Sequence, residues 1–309
     1  MERIVLKELV DKEGGLSSGH RLCGGCAEGI IVRQVLLAID KPVVCVCPTG
    51  CLEVSTTPFP YTSWKIPWVH VAFENAATVA SGIEAAYKVL KKKGKVKDDI
   101  EIVVFAGDGA TYDIGLQWLS GAVERGHKFL YVCLNNEAYM NTGIQRSGAT
   151  PFGAWTTTTP VGKVKPGKLE SRKDITGIMI AHNIPYAAQA SPHAWGDLAR
   201  KVRKAIKKQG PSFINVISPC PRGWRYPSQK TIEIARLAVE TRIWPLYEFE
   251  DGKLTINYMP SEKKPIEEWL KLQGRFSHLL REENREILKR LQEEIDLEWE
   301  RLLKKAEIS

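Results

Sequence analysis

Two apolar runs joined by a helical segment constrain this chain more than any other feature of its sequence. The first run, residues 103–106, is short and continuous, as in a buried parallel strand, and it ends at Gly107-Asp108-Gly109. The second run, residues 129–134, ends at Asn135-Asn136, and the segment between the runs carries apolar residues at helical spacing. This succession of strand, helix and strand predicts a parallel β-sheet.

Oxygen donors follow both predicted strands. Asp108 supplies a carboxylate after the first strand, and Asn136 supplies an amide after the second. Ligands of open parallel sheets bind beyond the carboxyl ends of the strands, and hard oxygen donors suit magnesium better than zinc. Magnesium is commonly held by one or two protein groups together with phosphates, and glycines such as Gly107 and Gly109 let the backbone approach those phosphates. The pattern therefore predicts a site that holds a metal ion and a diphosphate together.

Further apolar runs extend the same pattern along the chain. Three more strands are predicted, at residues 43–46, 186–188 and 213–217. Apolar residues at helical spacing predict helices at residues 30–37, 76–86, 175–182 and 193–208. The aromatic segment 59–68 is expected to be a packed loop, and the long polar segment 156–174 is expected to be an arm that wraps a neighbouring subunit.

The chain changes character at Gln229. A helix at residues 232–240 precedes a hairpin around Asp251-Gly252, and two charged helices follow at residues 265–272 and 282–305. We therefore expect an α/β domain over residues 1–228 that carries the sites. Residues 229–309 should form a helical extension that packs on this domain or on partner subunits.

Charge and hydropathy exclude two classes of partner. The net charge is +8, but the basic residues are spread over several segments instead of forming a stripe interleaved with aromatic residues, so we expect no nucleic-acid binding. No apolar run reaches the length of a bilayer, and the amino terminus lacks the apolar core of a signal peptide. We expect a cytoplasmic protein without a membrane segment, whose positive surface would suit docking of an acidic protein.

Four of the seven cysteines are predicted to lie on loops. Cys23 and Cys26 form a C-x-x-C pair on a glycine-rich turn, Cys51 follows the first predicted strand, and Cys220 stands between two prolines after the last core strand. In a cytosolic protein this pattern indicates metal or redox use instead of a disulfide framework. Four thiolates are the usual ligands of a 4Fe–4S cluster, and a structural zinc site is the competing interpretation.

The other three cysteines fall in or beside apolar runs. Cys45 and Cys133 are expected to be core thiols, since free cysteine is often buried. The role of Cys47 stays open.

Several motifs together resemble one enzyme family. The spacing of Gly107-Asp108-Gly109 and Asn135-Asn136 resembles the GDG…NN fingerprint of thiamine diphosphate enzymes. From about His20 to Phe276, the chain resembles the thiamine-binding beta subunit of pyruvate:ferredoxin oxidoreductases, within the 2-oxoacid:ferredoxin oxidoreductase family. The further motifs that carry this resemblance are Cys23-Gly-Gly-Cys26, Thr49-Gly-Cys51-Leu-Glu53, Pro60-Tyr-Thr-Ser-Trp-Lys65, His70-Val-Ala-Phe-Glu-Asn75, Asn141-Thr-Gly-Ile-Gln-Arg146 and Pro219-Cys220-Pro-Arg-Gly-Trp224.

The resemblance implies a thiamine diphosphate-binding α/β fold, with a mainly parallel sheet flanked by helices and a C-terminal helical extension. It implies that magnesium is bound by the side chains of Asp108 and Asn136 and by the backbone carbonyl of Ala138. Gly107 and Gly109 would contact the cofactor, and Asn141 is the candidate for a substrate hydrogen bond. The implied ligands of a 4Fe–4S cluster close to the cofactor are Cys23, Cys26, Cys51 and Cys220, of which Cys51 also belongs to the cofactor site.

The resemblance also implies an activity and its partners. The activity is oxidative decarboxylation of pyruvate with coenzyme A, in which electrons pass from thiamine diphosphate to the cluster and on to ferredoxin. The activating glutamate of the cofactor is attributed to an alpha subunit, and the sequence has no ferredoxin-type cysteine run, so the chain should act only in a complex with alpha-, gamma- and delta-type subunits.

Two alternatives stay open at the level of sequence. One is the same chemistry on another substrate, such as 2-oxoisovalerate, 2-oxoglutarate or oxalate, because the partner subunit is implied to select the substrate. The other is a non-redox thiamine diphosphate decarboxylase with a structural zinc ion.

Overall fold

The computed structural model of the chain describes residues 4–162 and 165–308. Within these ranges, eight strands form one sheet. In chain order they are β1 (Val43–Pro48), β2 (Trp68–Val71), β3 (Glu101–Gly107), β4 (Leu130–Asn135), β5 (Tyr186–Ala190), β6 (Ser212–Ile217), β7 (Tyr247–Glu250) and β8 (Lys253–Ile256).

The sheet is parallel over six of its strands. The strand order is β2-β1-β3-β4-β6-β5-β7-β8, and β7 and β8 add an antiparallel hairpin at one edge. The predicted hairpin around Asp251-Gly252 connects these two strands and is confirmed. Because β1, β3, β4 and β6 are neighbours in the sheet, the loops after their carboxyl ends lie side by side.

Helices flank the sheet and connect its strands. They are α1 (Leu6–Val10), α2 (Ala27–Leu37), α3 (Cys51–Thr56), α4 (Ala76–Lys92), α5 (Leu116–Glu124), α6 (Ile175–Ala181), α7 (Trp195–Lys207), α8 (Pro221–Trp224), α9 (Thr231–Glu240), α10 (Glu267–Leu270) and α11 (Arg285–Ile308), with a π-helical turn at Gly109–Asp113. No helix of the described ranges is long and apolar enough to cross a bilayer.

Alternate residues of β3 show why this strand is apolar throughout. Val103 and Phe105 belong to the core beneath α2 and α7, whereas Val104 and Ala106 belong to the core beneath α4, α5 and α6. A strand covered by helices on both faces has no solvated side, so its side chains are apolar at every position. The predicted α/β class, with a mainly parallel sheet and a C-terminal helix, is confirmed.

Three local predictions are wrong in part. The segment predicted as a loop up to Trp68 runs into the edge strand β2, which is short and partly exposed and therefore lacks an apolar run. The helix predicted at residues 265–272 is reduced to the single turn α10. In the polar segment 156–174, of which residues 163 and 164 lie outside the described ranges, Lys168 is buried and its backbone pairs with Gly153 and Ala154 of the same chain, so this part is not an arm extended towards a neighbour.

The C-terminal residues build a third core beside the sheet. Side chains of α9, α10 and α11 pack with Ile217 and Trp224, which belong to the end of β6 and to α8. The buried carboxylate of Glu137 is paired with two arginines: Arg275 lies 2.6 Å from one of its oxygens, and Arg172 lies 3.2 Å from the other. The domain boundary between residues 228 and 229 stays a prediction. The extension packs on Ile217 and Trp224, which lie beside the predicted ligand Cys220.

Replacing Arg275 with leucine should lower the free energy of unfolding by about 3–5 kcal/mol, because the Glu137 carboxylate would stay buried with a single, more exposed partner. Chemical denaturation measures this change. The control is Arg285→Leu, which removes an exposed partner of Glu282 and should change stability by less than about 1 kcal/mol. Equal effects of the two substitutions would contradict a structural role for the buried pair.

Candidate active site

Four neighbouring strands carry predicted site residues at their carboxyl ends. Cys51 follows β1, Asp108 follows β3, Asn136 follows β4 and Cys220 follows β6. One cleft at this edge of the sheet brings most of the predicted residues together. Its lining includes Cys51, Gly107, Asp108, Gly109, Asn136, Ala138 and Asn141, and also Glu28, Cys47, Thr49, Phe73 and Met140.

Asp108 lies buried at the start of the π-helical turn. Its Oδ2 atom accepts a short hydrogen bond from the hydroxyl of Ser147, and its Oδ1 atom has no hydrogen-bond partner. Burial raises the pKa of the Asp108 carboxyl well above its usual range, although the hydrogen bond from Ser147 opposes the change. A buried carboxylate oxygen without a partner is costly, and a bound cation would compensate it.

Asn136 is held at both its backbone and its side chain. Its Nδ2 atom donates to Oε1 of Glu28 at 3.1 Å, and its backbone carbonyl accepts from the indole Nε1 of Trp224 at 2.7 Å. Its Oδ1 atom is buried without a partner. The amide is therefore oriented so that the group suited to a metal ion is the one that is unpaired.

The preceding residue, Asn135, has a structural role. Its Oδ1 atom accepts from the backbone N–H of Glu137 at 3.0 Å, which closes an Asx turn after β4, and its Nδ2 atom donates to the hydroxyl of Tyr112 at 2.8 Å. Glu137 adopts a left-handed conformation, with φ at 65°. Of the two adjacent asparagines, one shapes the turn and the other presents its amide to the cleft.

Glu28 is the site residue that sequence reasoning missed. It lies in the first turn of α2, two positions after Cys26, and its carboxylate is buried with Oε2 unpaired. Burial raises the pKa of Glu28 to about 7, and the hydrogen bond from Asn136 opposes the change. The available signal was an acidic residue in the first turn of a helix just after the cysteine pair, although such a residue ordinarily favours the helix N-terminus without facing a site.

Two glycines are required by close contacts. A Cβ atom on Gly109 would collide with the ring of Tyr139, which lines the same cleft. Gly25, between the first two cysteines, has φ at 77°, and a Cβ atom there would collide with the backbone of Ser228. The first contact lets Tyr139 cover the turn after Asp108, and the second packs the cysteine turn against the segment after α8.

Three of the four predicted loop cysteines are partly shielded from solvent near Glu28. Burial raises the pKa values of the Cys26, Cys51 and Cys220 thiols, and negative charge on Glu28 and, to a smaller degree, on other cysteines of the four raises them further. Their loops are joined directly, because the backbone N–H of Ala27 donates to the carbonyl of Pro219 at 3.4 Å. Cys45, Cys47 and Cys133 are buried in the cores, as expected for Cys45 and Cys133.

Asn141 lies near Cys51, and both residues line the cleft. The polar side chain of Asn141 opposes the rise in the pKa of the Cys51 thiol that burial causes. The structure thus brings the proposed substrate contact next to one predicted cluster ligand. The predicted role of Asn141 in binding substrate stays a prediction.

The donor set fits a cation with a diphosphate. Three buried oxygens without partners, on Glu28, Asp108 and Asn136, belong to residues that line one cleft, and such groups require a cation, a donor or water. No three histidine, cysteine or acidic residues of the described part of the chain converge closely enough to hold one metal ion. A metal ion here would therefore need further ligands, such as phosphate oxygens and backbone carbonyls.

A family comparison agrees with this geometry. Residues 48–216, more than half of the chain, match the family described as the C-terminal TPP-binding domain of thiamine pyrophosphate enzymes. This range contains the ends of β1, β3 and β4 and most of β6. The predicted thiamine diphosphate-binding fold is confirmed.

Curated relatives match almost the whole chain. Pyruvate synthase subunit PorB of Thermotoga maritima is 52% identical over 98% of this chain and 95% of that protein, and PorB of Methanocaldococcus jannaschii is 53% identical over 93% of this chain and 97% of that protein. Ketoisovalerate oxidoreductase subunit VorB of Pyrococcus abyssi is 50% identical over 96% of this chain and 94% of that protein.

A solved structure shares the fold. A 2-oxoglutarate:ferredoxin oxidoreductase from Magnetococcus marinus superposes with a TM-score of 0.55 over 73% of this chain and 81% of that chain, at 22% identity. With the family match and the relatives above, it follows that this chain belongs to the thiamine diphosphate-binding beta subunits of the 2-oxoacid:ferredoxin oxidoreductases.

Proposed function

We propose that this chain takes part in the coenzyme A-dependent oxidative decarboxylation of pyruvate, within a complex that contains alpha-, gamma- and delta-type subunits and reduces ferredoxin. The observation that carries the proposal is that unpaired oxygens of Glu28, Asp108 and Asn136 belong to residues that line one cleft, which Cys51 also lines. Relatives named for pyruvate and for ketoisovalerate have similar identities, so 2-oxoisovalerate is the competing substrate. A cytoplasmic location stays a prediction.

The cofactor end of the cleft is assigned to the oxygen donors. Asp108, Asn136 and the backbone carbonyl of Ala138 would hold magnesium, and Gly107 and Gly109 would border the diphosphate. Thiamine diphosphate, when bound, would supply the nucleophilic and electron-accepting chemistry that decarboxylation of a 2-oxoacid requires. The side chains of this chain anchor the charged end of that cofactor and keep it at the carboxyl ends of β3 and β4.

The cysteine set supports a 4Fe–4S cluster more than a zinc ion. A zinc ion needs its sulfur ligands about 2.3 Å from a single point, whereas a cubane cluster spreads its four thiolates over separate irons. The fold is that of a thiamine diphosphate enzyme, whose cofactor generates a carbanion, and a redox-active cluster can accept electrons from it whereas zinc cannot. A cluster at this position would accept electrons beside the cleft.

The carboxylate that activates the cofactor is assigned to the partner subunit. Glu28 is a carboxylate of the cleft, but its Oε1 atom is bonded to the amide of Asn136, at the metal end. Asn141, beside Cys51, is assigned to hold the substrate by a hydrogen bond. This chain thus supplies the metal anchor and the cluster ligands, and the partner completes the acid–base chemistry.

Replacing Cys220 with serine should lower the iron content of the anaerobically purified protein, because it removes one of four thiolate ligands. Iron and acid-labile sulfide analysis measures the change. The control is Cys133→Ser, at a thiol buried in the core, which should retain its iron. Equal losses in both variants, or zinc in place of iron in the native protein, would refute the cluster assignment.

Replacing Asp108 with alanine should abolish tight magnesium-dependent binding of thiamine diphosphate, whereas Asn136→Ala should only weaken it. A carboxylate supplies charge to the metal ion and an amide supplies only a dipole. Calorimetric titration of the complex measures both affinities, and Asp99→Ala, at an exposed carboxylate, is the control. Unchanged affinity in the Asp108 variant would exclude this metal site.

The chain by itself should sustain no pyruvate-dependent reduction of a viologen, and activity should appear when the partner subunits are added. Loss of a positioned acid–base group reduces rates by about two to four orders of magnitude. Comparing pyruvate, 2-oxoisovalerate and 2-oxoglutarate in the assembled complex then identifies the substrate. If the isolated chain turned over at the rate of the complex, a carboxylate of this chain, such as Glu28, Glu53 or Glu74, would have to activate the cofactor in place of the partner subunit.

A further inference from the structure

We propose that Glu28 is a positioning residue, which fixes the side-chain amide of Asn136 so that its carbonyl oxygen, and not its nitrogen, faces the metal ion. The proposal rests on the function proposed above, because it requires that Asn136 bind the metal. In the sequence, Glu28 lies two positions after Cys26, in the first turn of α2. In the structure, its side chain contacts Asn136 of the proposed metal site.

The contact itself is well defined. The Nδ2 atom of Asn136 donates to Oε1 of Glu28 at 3.1 Å, and both side chains are buried. The Oδ1 atom of Asn136 has no hydrogen-bond partner and belongs to the lining of the cleft. The bond to Glu28 therefore occupies the donor end of the amide and leaves the acceptor end for a cation.

A carboxylate is the group that makes this orientation unique. An asparagine amide is nearly symmetrical in shape, so rotation by 180° about its last bond exchanges a donor for an acceptor at little steric cost. Oε1 of Glu28 is the acceptor of this contact, so the reversed amide of Asn136 would place two oxygens against each other. A neutral amide at position 28 could pair with either orientation.

The surrounding structure restrains both partners. The backbone of Asn136 is fixed by the indole of Trp224, at 2.7 Å, so rotation of the side chain is its main remaining freedom. Glu28 is carried on the first turn of α2, directly after Cys26, and Ala27 bonds to the loop that contains Cys220. The helix after Cys26 therefore contacts the side chain of Asn136, and the helix after Cys220 contacts its backbone.

Two substitutions test the orientation separately from the packing. Glu28→Gln keeps the size of the side chain and its ability to pair with Asn136, but it allows both amide orientations. Asn136→Asp offers two equivalent oxygens, yet it sets a second carboxylate against Glu28. In the double variant Glu28→Gln/Asn136→Asp, the new glutamine can donate to one oxygen of the aspartate and leave the other for the metal.

The probe is Mn²⁺ with inorganic pyrophosphate, titrated into the complex that co-purifies with the full chain and followed by electron paramagnetic resonance. Pyrophosphate lacks the organic part of the cofactor, so contacts of Glu28 with that part do not contribute. Glu28→Gln should weaken Mn²⁺ binding by about tenfold in the native background, since changes to residues that orient metal ligands cost about 10–100-fold. In the Asn136→Asp background, the same substitution should strengthen binding.

Glu248→Gln provides a matched control. Glu248 is also buried and also accepts a hydrogen bond from an asparagine amide, from Nδ2 of Asn257 at 3.0 Å, but it lies on β7 away from the cleft. This variant should leave Mn²⁺ affinity unchanged. If Glu28→Gln did not yield a folded complex, the comparison of Asn136→Asp with the double variant would still test the reversal in sign.

The outcomes separate this inference from the proposed function. Tight Mn²⁺ binding by the native complex, with no effect of Glu28→Gln or with weakening in both backgrounds, would overturn the positioning role alone. Absence of pyrophosphate-dependent Mn²⁺ binding in the native complex would overturn the metal site and the inference together. Weaker Mn²⁺ binding on Glu28→Gln substitution in the native background, together with stronger binding in the Asn136→Asp background, would support the metal site and the positioning role.

Discussion

The hydrogen bond between Glu28 and Asn136 is the contact on which the site depends. It joins the helix that begins after the first two cysteines to the end of the central strand β4. On its other side, Asn136 is bonded through its backbone to Trp224, in the helix that begins after Cys220. Asn136 is therefore one hydrogen bond away from each of the two helices that follow cysteines of the predicted cluster.

Burial of polar groups leaves unpaired acceptors in this region. The carboxylates of Glu28 and Asp108 are both buried, and their pKa values are raised mainly by loss of contact with water. Ser147 and Asn136 each satisfy one oxygen, and one oxygen of each carboxylate stays unpaired. A divalent cation with a diphosphate would supply the missing positive charge and the missing ligands together, since magnesium is commonly shared between carboxylates and phosphates.

The C-terminal extension supports the same turn from outside the sheet. Glu137 follows Asn136 in a left-handed conformation, and its carboxylate is paired with Arg275 of the extension. The guanidinium of Arg275 also lies 3.8 Å from the centre of the Trp224 ring, which carries the indole that bonds Asn136. Burial lowers the pKa of Arg275 to about 10, which still leaves it charged near neutrality. The C-terminal extension, whose sequence contains no candidate site residue, thus contacts both Glu137 and Trp224, the two residues that flank Asn136 in the chain and in space.

The sequence by itself indicated the strands that are buried on both faces, the polar residues that follow them and the cysteines outside them, but it did not indicate the edge strand β2. A strand buried on both faces must be apolar throughout, so residues 103–106 and 129–134 are recognisable without a structure, and so are Asp108 and Asn136 after them. Only the tertiary structure decided that Cys51, Asp108, Asn136 and Cys220 follow four neighbouring strands, because the order of strands in a sheet depends on backbone pairing between distant segments that no local pattern specifies.

The position of the Glu28 side chain also could not be predicted from the sequence. In the sequence it is an acidic residue in the first turn of a helix, where a carboxylate is favourable whether it is solvated or buried. Its burial against Asn136 follows from the packing of α2 across the ends of the strands, and packing between segments distant in the chain is visible only once the chain is folded.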